Sequence, residues 1–459
     1  MIEIISNIEK IKEELILILK LFLSEEELEN SSNLIKVDLD NDTVLLTFDE
    51  ETVSKKINLN SKNLSKEIKK NCKALLYKML SEKTGKSFKY GALTGIRPTK
   101  LFYDLLEEHK VLCKVKEILE NEYFVSKSAV ELLQTIIKNQ NFVKNDDVID
   151  LYINIPFCTS KCYYCSFVSM PLSRCKQYVK PYIASLKIDI LDALKNIEEK
   201  GYTLGSIYMG GGTPTSLTAE ELEEILVLLP KVKEFTVECG RPDTITKEKL
   251  EVLKKYGVTR ISVNPQTFND ETLKVIGRNH TSNETIDVYK MAREFPFIIN
   301  MDLIAGLADE TFKDFKYSLD KAISLNPDNI TVHTLCRKRA SSLNLDGGAT
   351  SSKDDVERMV DYSIEKIMEN GYSPYYLYKQ KNAIANLENI GYAKPGTACE
   401  FNIDSMEEIR SIIACGANAI SKRYTTKDNR IERFAFVKEP KEYIERLNDA
   451  LVKRQQLFN

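Results

Sequence analysis

The stretch Tyr152-Ile-Asn-Ile-Pro-Phe-Cys158-Thr-Ser-Lys-Cys162-Tyr-Tyr-Cys165 runs an apolar strand straight into three cysteines spaced C-x-x-x-C-x-x-C. Three thiolates on one short loop can each bond one iron of a cubane cluster. The missing fourth cysteine leaves one iron open to another ligand, whereas electron-transfer clusters ordinarily use four. A structural zinc site is the alternative, but such a site closes its tetrahedron with a fourth Cys or His, usually from a second paired motif, and none follows. Cys175, the nearest spare thiol, falls in a segment that reads as helix. The spacing therefore predicts a metal-cluster loop at the mouth of a barrel, with Cys158, Cys162 and Cys165 as the metal ligands.

Around this loop lies a chain of 459 residues, 43% of them hydrophobic, enough for two to four domains with sizeable cores. A net charge of -3, with lysines interspersed among Glu and Asp, gives no basic footprint for nucleic acid. The stretch from Met1 to Ser24 is apolar at helical spacing but carries Glu3, Glu9, Lys10, Lys12, Glu13, Glu14 and Lys20. It reads as neither signal peptide nor membrane span. Ten cysteines without a regular framework outside the loop fit a reducing, cytoplasmic setting.

Residues 1–148 read as an α+β accessory domain: a helix from Ile5 to Leu23, a hairpin of strands 34–39 and 44–48 around Asp40-Asn41-Asp42, and a long helix over 65–83. Then comes Tyr90-Gly-Ala-Leu-Thr-Gly-Ile-Arg97-Pro-Thr-Lys100, which reads either as a structured turn or as an anion contact, since Arg offers forked donors to a carboxylate. Over 149–377 strands and helices alternate, which implies a parallel sheet with covering helices. The expected strands are 150–157, 206–210, 234–239, 260–265, 298–304 and 329–335. Residues 378–459 form a small C-terminal extension.

The cysteine spacing, with the aromatic Tyr164 before the last cysteine, resembles that of the radical S-adenosylmethionine (SAM) enzymes. The six strand–helix units resemble their incomplete barrel, so the resemblance implies an α/β fold with a partial (β/α)6, TIM-like barrel and catalytic residues at the strands' carboxyl ends. It also implies a [4Fe-4S] cluster whose open iron chelates SAM, and a 5'-deoxyadenosyl radical released by one-electron cleavage. The motifs Gly210-Gly-Gly-Thr-Pro-Thr215, Glu238, Asn264-Pro-Gln266-Thr-Phe268, Ile276-Gly-Arg278-Asn-His280 and Asp302-Leu-Ile-Ala-Gly-Leu307 are similar to those of the coproporphyrinogen-oxidase-like branch. By that resemblance Tyr152, Gly211, Glu238, Gln266, Arg278 and Asp302 surround SAM, while Gly212, Thr213, Tyr164 and Cys336 match positions lining a second SAM. His280 and His333 are candidate proton carriers. Arg337 and Arg339, in Cys336-Arg-Lys-Arg339, join Arg97 as candidates to orient propionates, with a solvated loop as the bland reading.

Over its full length, in Thr94-Gly-Ile-Arg-Pro-Thr-Lys100, Tyr376-Leu-Tyr-Lys-Gln-Lys-Asn382 and Gly391-Tyr-Ala-Lys-Pro-Gly396, the chain resembles the coproporphyrinogen dehydrogenase HemZ group. The implied activity is oxygen-independent decarboxylation of coproporphyrinogen III propionates to vinyl groups in heme biosynthesis. Implied with it are a porphyrinogen substrate, a flavodoxin- or ferredoxin-type electron donor and a monomeric enzyme. Phe167 and Asn154 stand where better-studied oxidases carry a cysteine and a histidine. Heme-chaperone relatives carry His-Asn-x-x-Tyr-Trp where this chain has Phe401-Asn402-Ile-Asp-Ser405-Met406, and no tryptophan occurs anywhere. A heme-opening radical SAM methyltransferase is a further alternative, because fold does not decide chemistry.

Overall fold

The computed structural model describes residues 2–30, 33–60, 63–95, 97–140, 144–165, 167, 169–336, 351–380, 383–427 and 430–459. Two compact units divide the chain: Met1–Ile137 with Tyr378–Lys381 and Ala385–Leu387, and Lys138–Leu377 with Asn382–Ile384 and Glu388–Asn459.

In the smaller unit β1 (Glu3–Ser6), β2 (Leu34–Asp40), β3 (Thr43–Phe48) and β4 (Glu51–Lys56) form one sheet in that order. The expected hairpin is there, as β2 and β3. Two expectations need correcting. Ile5 lies in β1, which pairs parallel with β2, and the helix starts only at Ile11. From Ile11, the residues Leu15, Ile18, Leu19 and Phe22 recur at helical spacing and are all buried, whereas Lys10 takes a left-handed backbone that interrupts the run. The hairpin also gains a third strand, β4, whose mostly exposed side chains left no apolar pattern to read.

The larger unit is built on β5 (Val148–Ile155), β6 (Thr203–Gly211), β7 (Glu234–Val237), β8 (Arg260–Ser262), β9 (Ile298–Ala305) and β10 (Asn329–Thr334). Each pairs in parallel with the next. The strands match the six expected from sequence, and helices lie between them, including Leu172–Glu199, Ala219–Leu226, Lys247–Lys255, Ser282–Ala292 and Phe312–Leu325. Capping boxes at Thr218/Glu221 and Thr281/Glu284 satisfy the first free N–H groups of two of these helices. Past β10 lie β11 (Ser373–Lys379) and β12 (Glu388–Ala393), in the order β11-β12-β10. On the opposite edge β13 (Ser411–Cys415) adds a parallel strand beside β5, followed by β14 (Ile420–Thr425) and β15 (Arg430–Ala435).

Alternation decides which side of this sheet holds chemistry. Ile149, Leu151, Ile153, Ile207, Met209, Phe235, Val237, Ile261, Ile299, Met301 and Ile330 are fully or almost fully buried. The residues between them are polar: Asp150, Tyr152 and Asn154 on β5, Ser206 and Tyr208 on β6, Glu234 and Thr236 on β7, Arg260 and Ser262 on β8, Asn300 and Asp302 on β9, Asn329, Thr331 and His333 on β10. Successive side chains of a strand point to opposite faces, so one face of the sheet is continuously polar. Its members bond one another, as Asp150 accepts from the Ser206 hydroxyl at 2.8 Å and Asn300 Oδ1 from that of Thr331 at 3.1 Å.

Candidate functional site

The three cysteines leave β5 on a loop pinned from two sides. Tyr163 N–H donates to the carbonyl of Ile276 at 3.1 Å, and the Ser160 hydroxyl to that of Gly277 at 3.3 Å. From the other side the buried Arg241 donates through Nη1 to Ser160 Oγ at 2.8 Å and to Cys162 Sγ at 3.5 Å. Its remaining nitrogens form two parallel bonds, each 3.0 Å, to the carboxylate of Asp243. Thr213 Oγ1 lies 3.4 Å from Cys158 Sγ. Burial pushes the Cys165 thiol up to about 11 and raises that of Cys158, so proton loss there calls for a bound cation. Among the described residues no three His, Cys, Asp or Glu side chains are gathered to hold one metal ion. Cubane thiolates need no such gathering, because each bonds a different iron.

Beside the loop, the glycines at the end of β6 make a close approach that no side chain would permit. Gly211 has φ +104°, and a Cβ there would lie 2.0 Å from Asn154 Oδ1. At Gly212 a Cβ would lie 2.5 Å from the carbonyl oxygen of Phe157. Asn154 in turn accepts from the Tyr152 hydroxyl at 3.2 Å and donates to the carbonyl of Ala417 at 2.7 Å.

At the carboxyl ends of β7 to β10 the polar face gathers Glu238, Asn264, Gln266, Asp302 and His333. Glu238 accepts from the Tyr208 hydroxyl at 2.6 Å, and burial, opposed by that bond, lifts its carboxyl to about 7. Asp302 accepts from Asn264 Nδ2 and Asn300 Nδ2, both at 2.7 Å, and His333 Nε2 stands 3.7 Å away. Burial opposes ionisation of Asp302, but His333 and its hydrogen bonds outweigh it and hold the carboxyl below its ordinary value. Gln266 adopts φ 65°, a left-handed backbone rare outside glycine. Among the described residues its buried Oε1 has no partner, and neither has the buried Ser262 Oγ. A small cavity opens on this face, with Tyr208, Glu238, Ser262 and Asn300 among its lining. Unsatisfied buried acceptors beside a three-thiol loop and two carboxylates fit a polar, cationic cofactor next to a cluster.

Several expected site residues have protein partners of their own. Arg278 is buried and donates to the Tyr164 hydroxyl at 2.8 Å and to the carbonyls of Gly240 at 2.9 Å and Asn264 at 3.2 Å. It thereby ties the cluster loop to the ends of β7 and β8. His280 is buried with Nδ1 3.8 Å from Asp243 Oδ1, and burial lowers its pKa, so it sits behind the loop as a neutral ring. Cys336 is buried and bridges to Ala383 beyond β10. Arg97 precedes helix Pro98–His109 in the smaller unit. Arg337 and Arg339 lie outside the described residues.

One residue, Arg241, and the placement of another, Phe401, escaped the sequence reading. Arg241 follows β7 in Glu238-Cys-Gly-Arg-Pro-Asp243, and a cation directly after a barrel strand was the available signal. Phe401 is the second residue of helix Glu400–Glu407, whose first N–H groups donate to Glu234: Glu400 N–H at 2.9 Å and Phe401 N–H at 3.0 Å. Its ring stacks on Tyr208 at 4.5 Å and faces Tyr152 at 6.2 Å. No sequence-local pattern announces that contact.

A run of parallel strands with a three-cysteine loop after the first is the architecture of radical SAM enzymes, and the model of the Radical SAM superfamily matches residues 152–322. The oxygen-independent coproporphyrinogen-III oxidase-like protein HemZ of Bacillus subtilis is 41% identical over 383 residues, 80% of this chain and 76% of that protein. The heme chaperone HemW of the same organism is 35% identical over 192 residues, 40% of this chain and about half, 49%, of the chaperone. Among solved structures, the coproporphyrinogen III oxidase HemN from Escherichia coli matches with a TM-score of 0.54, covering 71% of this chain and 73% of that one at 21% identity, a likeness of fold. The chain belongs to the radical SAM enzymes and, within them, to the HemZ family. Its cofactors are accordingly a [4Fe-4S] cluster and SAM. No helix among the described residues is long and apolar enough to cross a membrane.

Proposed function

We propose that this chain converts propionates of coproporphyrinogen III to vinyl groups without oxygen, giving protoporphyrinogen IX. The observation that carries the reading is the ring of Glu238, Asn264, Gln266, Asp302 and His333 beside the three-cysteine loop; the HemZ relative suggests the substrate class. Cys158, Cys162 and Cys165 would hold the cluster, and Glu238, Gln266 and Asp302 would hold SAM. When bound, these groups supply hydrogen-atom abstraction from an unactivated carbon.

The chain's own residues do the rest. Asp302, kept ionised by His333 and its amide donors, suits the ammonium or ribose hydroxyls of SAM. Gln266 Oε1 offers an acceptor that no donor among the described residues meets. Arg241 and Arg278 fix the loop, and the stacked Tyr152, Tyr208 and Phe401 keep water from the floor of the site. Each propionate loses a β-hydrogen atom, carbon dioxide and one further electron.

Anaerobic incubation of the reconstituted protein with SAM, reductant and coproporphyrinogen III, read by mass spectrometry, tests the reading. Loss of two carboxyl groups coupled to 5'-deoxyadenosine formation is expected. Deoxyadenosine without decarboxylation would reject the substrate and leave the radical chemistry standing.

The HemW relatives favour a second reading, a heme-binding chaperone. Against it, Phe401 occupies the position matched to the chaperones' histidine and packs on Tyr208, so no imidazole is offered to heme iron there. Stoichiometric heme binding with no turnover of coproporphyrinogen would reverse the order of the two readings.

A further inference from the structure

Gln266 presents a buried Oε1 that no donor among the described residues meets, and it does so from a backbone with φ 65°, a conformation rare for a residue with a Cβ. Its peptide is gripped on both sides by β9. The Gln266 N–H donates to the carbonyl of Asp302 at 2.9 Å, and its carbonyl accepts from the Ile304 N–H at 3.0 Å. After these two bonds the chain leaves the sheet. A strained backbone persists only where its surroundings over-determine it, so the turn that follows must be held by something else.

Side chains hold it. Thr267 is buried and gives its hydroxyl proton to Glu310 Oε1. The same Thr267 oxygen lies 3.1 Å from the Ser318 hydroxyl and accepts from the Asn269 N–H at 3.1 Å, while Ser318 Oγ accepts from the Phe268 N–H at 2.9 Å. The turn 267–269 is thus bound to Glu310, which follows β9, and to Ser318 on helix Phe312–Leu325. Glu310 is fixed in its turn: its N–H donates to the Leu307 carbonyl at 3.3 Å, and its carbonyl accepts from the Ser351 hydroxyl at 2.6 Å. Buried and without an ion-pair partner among the described residues, its carboxyl is lifted to about 7. Thr272, a second hydroxyl beside it, is not in hydrogen-bonding geometry with Oε2. Burying a carboxyl so thinly satisfied costs stability, so stability alone does not explain it.

We infer that Glu310 is a positioning residue of the SAM site, which through Thr267 sets the backbone that aims Gln266 Oε1. The inference rests on Gln266 contacting SAM, as proposed above. Glu310 acts only through Thr267 and is not itself a catalytic residue. Its oxygen accepts the Thr267 proton, a task that a glutamine Oε1 performs equally well, whereas alanine leaves the threonine hydroxyl without that acceptor. Valine at position 267 removes the donor and keeps the branched shape.

Equilibrium dialysis of SAM against the reconstituted holoprotein, at matched iron content and with urea melts in parallel, tests the inference. The Kd for SAM should rise by roughly tenfold in Glu310→Ala and in Thr267→Val. The double variant should be no worse than either single one, because both remove the same bond. Glu310→Gln should bind SAM nearly as the wild type does. Melts that shift while Kd stays unchanged in Glu310→Ala and Thr267→Val would show a scaffold role and overturn the inference. So would losses that add in the double variant, or a Glu310→Gln variant as weak as Glu310→Ala. Should Glu310→Ala fail to fold, Thr267→Val and Glu310→Gln make the same comparison. Gln266→Ala separates this inference from the reading beneath it. A raised Kd there, beside an unchanged one in Glu310→Ala, sinks the role of Glu310 alone; an unchanged Kd in Gln266→Ala removes Gln266 from the SAM site and the role of Glu310 with it.

Discussion

Arg241 donates to the sulfur of Cys162 at 3.5 Å while its other two nitrogens grip Asp243, so one buried guanidinium joins the cluster loop to the turn after the third barrel strand. Removing one partner of such a buried pair leaves the other's charge uncompensated, typically at about 3 kcal/mol or more. Arg241→Ala should therefore lower stability by roughly that amount and loosen the loop. Urea denaturation and iron content after reconstitution check both effects. Arg241→Lys keeps the charge but not the fork, and should retain stability better than it retains cluster.

Replacing Cys158, Cys162 or Cys165 by Ala should abolish iron-sulfur absorbance and SAM cleavage together. Cys175→Ala should spare both, because that thiol is spent on the carbonyl of Pro171. Absorption spectra and deoxyadenosine yield of the four variants separate a three-ligand cluster from a four-ligand site. Retention of both signals by any of the first three would refute the assignment.

Glu238 gives a pH dependence with a definite sign. Burial raises its carboxyl to about 7, so it is largely neutral at pH 6 and ionised at pH 8. A sulfonium cofactor carrying an ammonium group favours the ionised form. SAM affinity should thus be flat above about pH 7 and fall by up to tenfold per unit below it. Glu238→Gln should remove that slope. For folding the sign is reversed: a carboxyl whose folded pKa is raised loses stability as pH climbs from its unfolded value to about 7, and loses no more above. Equilibrium dialysis and denaturant melts at matched pH distinguish the two effects.

How far the sequence could be read depends on the distance over which each signal acts. The six strands were legible because Ile, Val, Leu and Met recur between turn signals, and the three cysteines because their spacing is local. Polar residues interleaved on the same strands, such as Ser206, Tyr208, Asn300 and Thr331, gave no separate cue until the sheet set them on one face. β13 escaped because Ser411–Cys415 joins β5 across more than 250 residues, where periodicity carries no information about partners. Arg278 was legible as a cation of the site, but its bonds to Tyr164, Gly240 and Asn264 depend on three separate strand ends meeting.

The same long reach governs the C-terminal helix Leu447–Leu457. Arg454, fully buried, pairs with Asp189, donates to Asp192 at 2.6 Å and is held against β13. Asp189 also accepts from the Tyr443 hydroxyl at 2.5 Å and the Gly416 N–H at 2.8 Å. Next along, the Ala417 N–H donates to the Tyr182 hydroxyl at 3.0 Å, and that hydroxyl donates to the carbonyl of Asn154 at 2.8 Å. A continuous chain of bonds thus runs from the last helix to the residue that receives the Tyr152 hydroxyl and backs Gly211. Arg454→Met should cost about 3 kcal/mol, because Asp189 then stays buried without its cation, and should also raise the Kd for SAM. The double variant Arg454→Met/Asp189→Asn removes both charges and should recover most of the stability. Melts that show no recovery would mean that Arg454 acts through packing, and unchanged SAM affinity in the single variant would confine the network to the scaffold.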